Sequence, residues 1–213
     1  MTMVAEKSPI IQIVKSKTKL KAKSSIMGVN LLLILIGSLL LAVSAQYKVP
    51  LGPVPITLQS MVVMLIATMY GWRLGAATIV AYWTEGILIG GIYSFLPWFA
   101  NGSGLAYFMG APSAGFLWGF LPMVLVIGYL THNHYWQKSF FSTSLALIVG
   151  QLVLYFFGLT YAYFAVLPFV DWMSTPYQML SIYLYPFVIG DMLKTMIATL
   201  ITVLFIKNIG ERT

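Results

Sequence analysis

The chain has 213 residues, 60% apolar and only 8% charged, with a formal net charge of +7 and no cysteine. Soluble domains carry about 25% charged residues, and a third of that cannot cover a surface facing water. This excludes a water-soluble globular enzyme and a disordered chain. The absent cysteines exclude a disulfide framework, a thiolate metal site and a cysteine nucleophile. What remains is a helical membrane protein: roughly 20 apolar residues cross a bilayer, so the chain holds about five to seven spans in one domain.

Lys7, Lys15, Lys17, Lys19, Lys21 and Lys23 make up half of the 12 basic residues, and all precede the first apolar run. No aromatic residue is interleaved among them. The arm over 1–25 therefore reads as a topology signal lying against anionic lipid, and no nucleic-acid partner is expected.

The first span is predicted over 26–46, closed by Tyr47, Lys48 and Pro50. Pro50, Pro53 and Pro55 then forbid helix, so this stretch is an ordered extended loop. A short second span runs over 56–70 and stops at Gly71-Trp72-Arg73, and a third covers 74–92. A loop rich in glycine and aromatic residues is expected over 93–111, with Tyr93, Phe95, Trp98, Phe99, Tyr107 and Phe108. The fourth span is 112–130, ending at His132-Asn133-His134, and the fifth is 140–165. An outer loop over 168–178 carries Asp171 and Trp172, and the last span is 181–207, interrupted early by Pro186.

Six spans place both termini on one side. With the termini in the cytoplasm, ten of the 12 bases face inward, Lys48 faces outward and Lys194 lies within a span. This bias orients the chain as an all-α multi-pass protein of the cell (inner) membrane. The predicted organisation is a basic cytoplasmic arm over 1–25, a six-helix membrane domain over 26–207 and a cytoplasmic tail over 208–213. No phosphate-binding GxxxxGK[ST] loop is present. Active transport would therefore draw its energy from another subunit.

Ionisable residues inside a bilayer cost roughly 2.5–3.5 kcal/mol each, which makes Glu85, Asp191 and Lys194 functional candidates. Asp191 and Lys194 stand three apart on one helical face, just inside the outer end of the last span. The pair either neutralises itself and ties helices together, or it presents an acceptor and a donor to a ligand. Glu85 is equally a ligand group or an interhelical hydrogen-bonding group. Asn30, Gln59 and Gln151 fit interhelical bonding, and Gln59 stands out because it follows the proline loop. The outer-loop aromatics serve as an interfacial belt or as a pocket wall. His132 and His134 have no carboxylate near in sequence, so no metal site is expected. Ser38 and Ala42 are small residues four apart, suited to close helix contact within the protein or with a partner.

Four stretches resemble the BioY family, the biotin-specific S components of energy-coupling-factor (ECF) transporters. They are Ala45-Gln-Tyr-Lys-Val-Pro-Leu-Gly-Pro-Val-Pro-Ile-Thr-Leu-Gln59, Leu96-Pro-Trp-Phe-Ala-Asn-Gly102, Gly110-Ala-Pro-Ser-Ala-Gly-Phe116 and Pro186-Phe-Val-Ile-Gly-Asp-Met-Leu-Lys194. The segment between Gly86 and Pro97 is longer than the family pattern, Ser113 replaces its threonine, and Asn101-Gly-Ser-Gly104 lacks a basic residue that some members carry.

The resemblance implies a six-helix ECF S-component fold that captures biotin at its outer face. In that reading Asp191 accepts a ureido N–H, and Lys194 meets the biotin carboxylate or the ureido oxygen. Asn101 and Gln59 complete the polar contacts, while Phe99, Trp98 and Tyr82 form walls, with Glu85 as a further candidate. Ser38 and Ala42 become candidates for docking a partner. The implied partners are biotin, membrane lipid, and a transmembrane coupling subunit driven by two ATPase subunits, or else a homo-oligomer. No cofactor or catalytic residue is implied. The readings set against it are an S component for another small vitamin, a membrane enzyme using Asp191 and Lys194 as an acid/base pair, and a purely structural protein.

Overall fold

In the computed structural model of the chain, residues 23–92, 97–132, 139–171 and 173–210 are described. Most of the basic arm, Tyr93, Phe95, Leu96, His134, Lys138, Trp172 and Arg212 therefore lie outside the described residues.

The first helix, α1, is Lys23–Gln46. Its outer stripe of Leu31, Leu32, Leu35 and Leu39 stays more than half exposed, an arrangement stable in lipid and not in water. After α1 the chain forms a two-stranded antiparallel ribbon, β1 (Lys48–Val49) and β2 (Ile56–Thr57), with Lys48 opposite Thr57. The proline loop makes the turn between them. The sequence predicts an extended loop here and an immediate helix start at Ile56; the structure instead gives residues 56–57 to the ribbon.

The next element, α2, runs Gln59–Ile92 but is not one straight helix. Gly71 takes φ 75° and ψ 173°, a conformation open to glycine without steric penalty. The Gln59 amide donates to the Tyr82 hydroxyl at 2.7 Å across 23 residues of chain. A straight helix would hold those positions about 35 Å apart. Ile66 likewise packs against Gly75. The chain therefore doubles back at Gly71 into two antiparallel limbs, where the sequence places the break between its second and third spans. On the neighbouring helix, a Cβ at Gly128 would come within 2.4 Å of the Trp72 nitrogen, so only glycine lets that helix reach the turn.

A short helix α3 (Gly104–Gly110) precedes α4 (Ala114–Leu130), and the two are bent by 82°. The segment expected as loop thus contains a helix, because Leu105, Tyr107 and Phe108 give it an apolar body. The fifth helix, α5 (Phe140–Tyr161), continues through a wider turn at Ala162–Val166 and a tight one at Leu167–Phe169. Next, α6 (Pro176–Tyr183) is capped by Thr175 and Gln178, each side chain bonding the other's backbone N–H. The last helix, α7, is Tyr185–Gly210. The break at Leu184 assigns residues 181–183 to α6, so the last membrane helix starts later than expected. Pro186 falls in its first turn, where a missing N–H costs nothing, and does not interrupt it.

Packing follows the small and polar residues. Thr68 of α2 bonds Thr202 of α7 at 3.0 Å, and Ser144 of α5 donates to Thr199 of α7 at 3.3 Å. One apolar core gathers Met64, Ile66, Ile79, Tyr82, Phe120, Met123, Ile127 and Leu147. A second, at the end of the molecule opposite the Gly71 turn, gathers Val54, Ala162, Val166, Met179, Tyr183 and Phe187. Phe116 of α4 packs against both and stacks on Tyr183 and Phe187.

Candidate functional site

Between the two cores lies a small cavity of about 60 Å³. Its walls come from the ribbon and its proline turn (Val54, Pro55, Thr57), the start of α2 (Gln59, Ser60), Ala100, Tyr107, Ser113 at the N-cap of α4, and Phe116, Leu117 and Phe120 within it. Gln151, Leu154 and Tyr155 of α5 and Phe187, Asp191 and Lys194 of α7 complete it. The lining is mostly apolar with a few convergent polar groups, the composition usual for small-molecule pockets.

The polar groups converge on Asp191. Its side chain is buried on α7, and Lys194, one turn later, donates to Oδ1 at 2.9 Å. Ser60 donates to the same oxygen at 3.5 Å and accepts from Lys194 at 3.4 Å. The other oxygen, Oδ2, accepts from the Gln151 amide at 2.7 Å and from the Tyr155 hydroxyl at 2.6 Å. Gln151 and Tyr155 are four apart on α5 and so reach the carboxylate side by side. One carboxylate thus gathers donors from three helices, and the 2.6–2.9 Å bonds have the shortness of charge-assisted contacts. The Gln151 carbonyl oxygen is buried in the same wall without a partner.

The other predicted residues are spread around this centre. Gln59 lines the cavity, but its amide is committed to the Tyr82 hydroxyl. Tyr82 is wholly buried behind Gln59, and its hydroxyl donates to the Trp98 carbonyl at 3.3 Å. Phe99 is also wholly buried, edge-on to Tyr82 and seated on Gly86, where an added Cβ would lie 2.2 Å from its ring. Tyr82, Trp98 and Phe99 therefore back the cavity from the core and do not line it, contrary to the expected wall. Ala100 lines it instead, and Asn101 points to the outside, its amide oxygen accepting from Lys48 at 2.7 Å.

Glu85 takes no part in the cavity. Its Oε1 accepts from Ser38 of α1 at 2.9 Å, which makes it an interhelical group. Ser38 and Ala42, expected at a docking face, are buried inside the protein, because the small side of α1 is turned toward α2 and its leucine side toward lipid. His132 is exposed on the turn after α4. Among the described residues no cluster of histidine and carboxylate groups could hold a metal ion.

Sequence reasoning missed Ser60, Tyr155 and Phe187 as lining residues and left Gln151 as a helix-packing amide. The signal available was spacing: Gln151 and Tyr155 form a polar pair on one face of an otherwise apolar span. Reasoning in one dimension also missed the loop contacts above the cavity. Lys48 donates to the Ala100 carbonyl as well as to Asn101, and the Gln46 amide donates to the carbonyls of Pro97 at 2.9 Å and Phe99 at 3.3 Å. Beneath them, the Asn101 N–H donates to the Tyr107 hydroxyl at 3.2 Å, which pairs with Ser113 at 3.3 Å.

This architecture and sequence have known counterparts. The fold is similar to the crystal structure of the S-component for biotin from an ECF-type ABC transporter, with a TM-score of 0.71 at 20% identity over 88% of this chain and 95% of that one. The sequence is 34% identical to the biotin transporter BioY of Thermotoga maritima over 173 residues, 81% of this chain and 93% of that protein. It is 31% identical to the biotin transporter BioY2 of Lactococcus lactis subsp. cremoris over 183 residues, 85% of this chain and 92% of that protein. The model of the BioY family matches residues 16–211. The chain is thus a multi-pass helical membrane protein with the fold of an ECF S component, and it belongs to the BioY family.

Proposed function

We propose that this protein captures biotin from outside the cell and serves as the substrate-binding subunit of an ECF-type transporter. The observation that carries this reading is the buried Asp191–Lys194 pair in the wall of a mostly apolar cavity, an acceptor and a donor 2.9 Å apart. A ureido ring presents the complementary pattern, two N–H donors flanking one carbonyl. Asp191 accepts one N–H, Lys194 donates to the ureido oxygen, and the partnerless Gln151 oxygen accepts the second N–H. The Ser60 contact to Asp191, at 3.5 Å the longest of the four, is the one that yields to the ligand. Phe116, Leu117, Phe120 and Phe187 surround the thiophane ring and the alkyl chain.

The bases support a cytoplasmic placement of both termini across six membrane crossings. Arg73, beside the Gly71 turn, and Lys207, in the last turns of α7, lie at the end away from the cavity. The cavity then opens outward. In this family reading the loaded subunit topples in the membrane on docking to a coupling subunit driven by two ATPase subunits, or acts as a homo-oligomer. Lipid or that partner meets the leucine face of α1, while Ser38 and Ala42 hold α1 to the rest of the bundle.

Calorimetric titration of the detergent-purified protein tests the reading. Saturable binding at micromolar biotin is expected, and its absence rejects it. Competition of desthiobiotin, thiamine and riboflavin against labelled biotin distinguishes biotin from another small vitamin on the same fold.

A further inference from the structure

We propose that Lys48, on the first ribbon strand, reads the carboxylate of the ligand at the mouth of the cavity. This rests on the vitamin reading above and adds to it a residue for the end of the ligand far from Asp191.

Charge decides where the anionic end of the ligand can lie. A ligand carboxylate placed at Lys194 would also meet the Asp191 carboxylate 2.9 Å from that ammonium, and the like charges repel. The anionic end must therefore lie elsewhere along the cavity. Four cationic side chains are described: Lys48, Arg73, Lys194 and Lys207. Arg73 stacks on Trp72, 4.6 Å from the ring centroid, at the far end of the α2 limbs. Lys207 is 13 residues beyond Lys194 on the same helix, about 20 Å along its axis. Besides the Asp191-paired Lys194, Lys48 alone among these bonds a residue of the cavity wall.

Three contacts fix it there. Lys48 is opposite Thr57 in the ribbon, and Thr57 lines the cavity. Its ammonium donates to the carbonyl of Ala100, a second lining residue. It also donates to the Asn101 amide oxygen at 2.7 Å. Both acceptors are neutral, and no ion pair between Lys48 and a carboxylate is present among the described residues. The ammonium carries three donors, so one proton and the whole charge are left for an anion. The hydrogen bonds also hold the lysine ready, which lowers the ordering cost of meeting the ligand.

The test compares biotin with biotinamide, its neutral carboxamide, by calorimetry on the full chain. Wild-type protein is expected to prefer biotin by about tenfold, the scale of one charge-assisted hydrogen bond. In Lys48→Gln the preference should collapse to within about twofold, through loss of biotin affinity with biotinamide affinity kept. Lys48→Arg keeps the charge and should keep the preference. If wild-type protein binds both ligands equally, or if Lys48→Gln retains the full preference, the assignment to Lys48 is overturned while biotin capture stands. If Lys48→Gln binds neither ligand because the loop contacts are lost, the arginine variant decides: loss of preference there also overturns the assignment. Wild-type protein that binds neither ligand overturns the vitamin reading itself.

Discussion

Among the described residues two carboxylates stand within the membrane helices, Asp191 buried and Glu85 half-buried, and the protein treats them differently. Asp191 has four side-chain donors from three helices and forms part of a cavity wall. Glu85 has one, Ser38, and its second oxygen is buried without a partner. Each is an acid set in an apolar run, though only Asp191 has a base three residues on. The difference lies in what surrounds them: Asp191 sits where two apolar cores leave space between them, and Glu85 where two helices close on each other. An intramembrane acid is a functional candidate by cost alone, but only one that faces space and keeps its charge compensated can exchange a protein donor for a ligand donor.

Three substitutions sharpen or break this contrast. Asp191→Ala removes the acceptor and leaves Lys194 buried and unpaired, and should weaken biotin binding by about 2–5 kcal/mol, or roughly thirtyfold to several thousandfold in Kd. Calorimetry reads this directly, and an unchanged Kd would end the role given to Asp191. Tyr155→Phe removes the 2.6 Å donor to Oδ2 and keeps the ring in place. A loss of about 1.5–3 kcal/mol in biotin affinity is expected, and wild-type affinity would mean that the donor set does not orient the carboxylate. Glu85→Gln keeps the shape and can still accept from Ser38, so biotin affinity should move by less than about 0.5 kcal/mol. A loss on the scale of Asp191→Ala would show that the two acids are not distinct in function.

Much of the site was legible before any coordinates, for reasons that can be named. Asp191 and Lys194 are conspicuous because charge in lipid is costly, and their spacing of three puts them on one face. Gly71 marks a turn because it interrupts an apolar run beside Trp72 and Arg73. The walls were less legible. Aromatic residues in an outer loop are equally at home in a belt, a core or a pocket, and Phe99 goes to the core because Gly86 leaves room for its ring. Ser38 and Ala42 announce a close contact without naming the contact, and α2 of the same chain supplies it. Tyr155 carries no signal beyond its distance from Gln151, since a tyrosine in a membrane helix is usually interfacial.

The amino-acid order by itself determined that this is a multi-span membrane protein, which end of each helix carries its breaker, and that one acid–base pair lies near one end of the last span. These are consequences of local cost: apolar length, backbone restriction at proline and glycine, and charge in lipid act residue by residue. Only the tertiary structure decided that Gln151, Tyr155 and Ser60 surround Asp191, that Glu85 closes on Ser38, and that Lys48 stands over Ala100 at the cavity mouth. Those pairings join residues from 36 to 131 positions apart, and they are set by which helix faces pack together, a choice that no local property of the chain encodes.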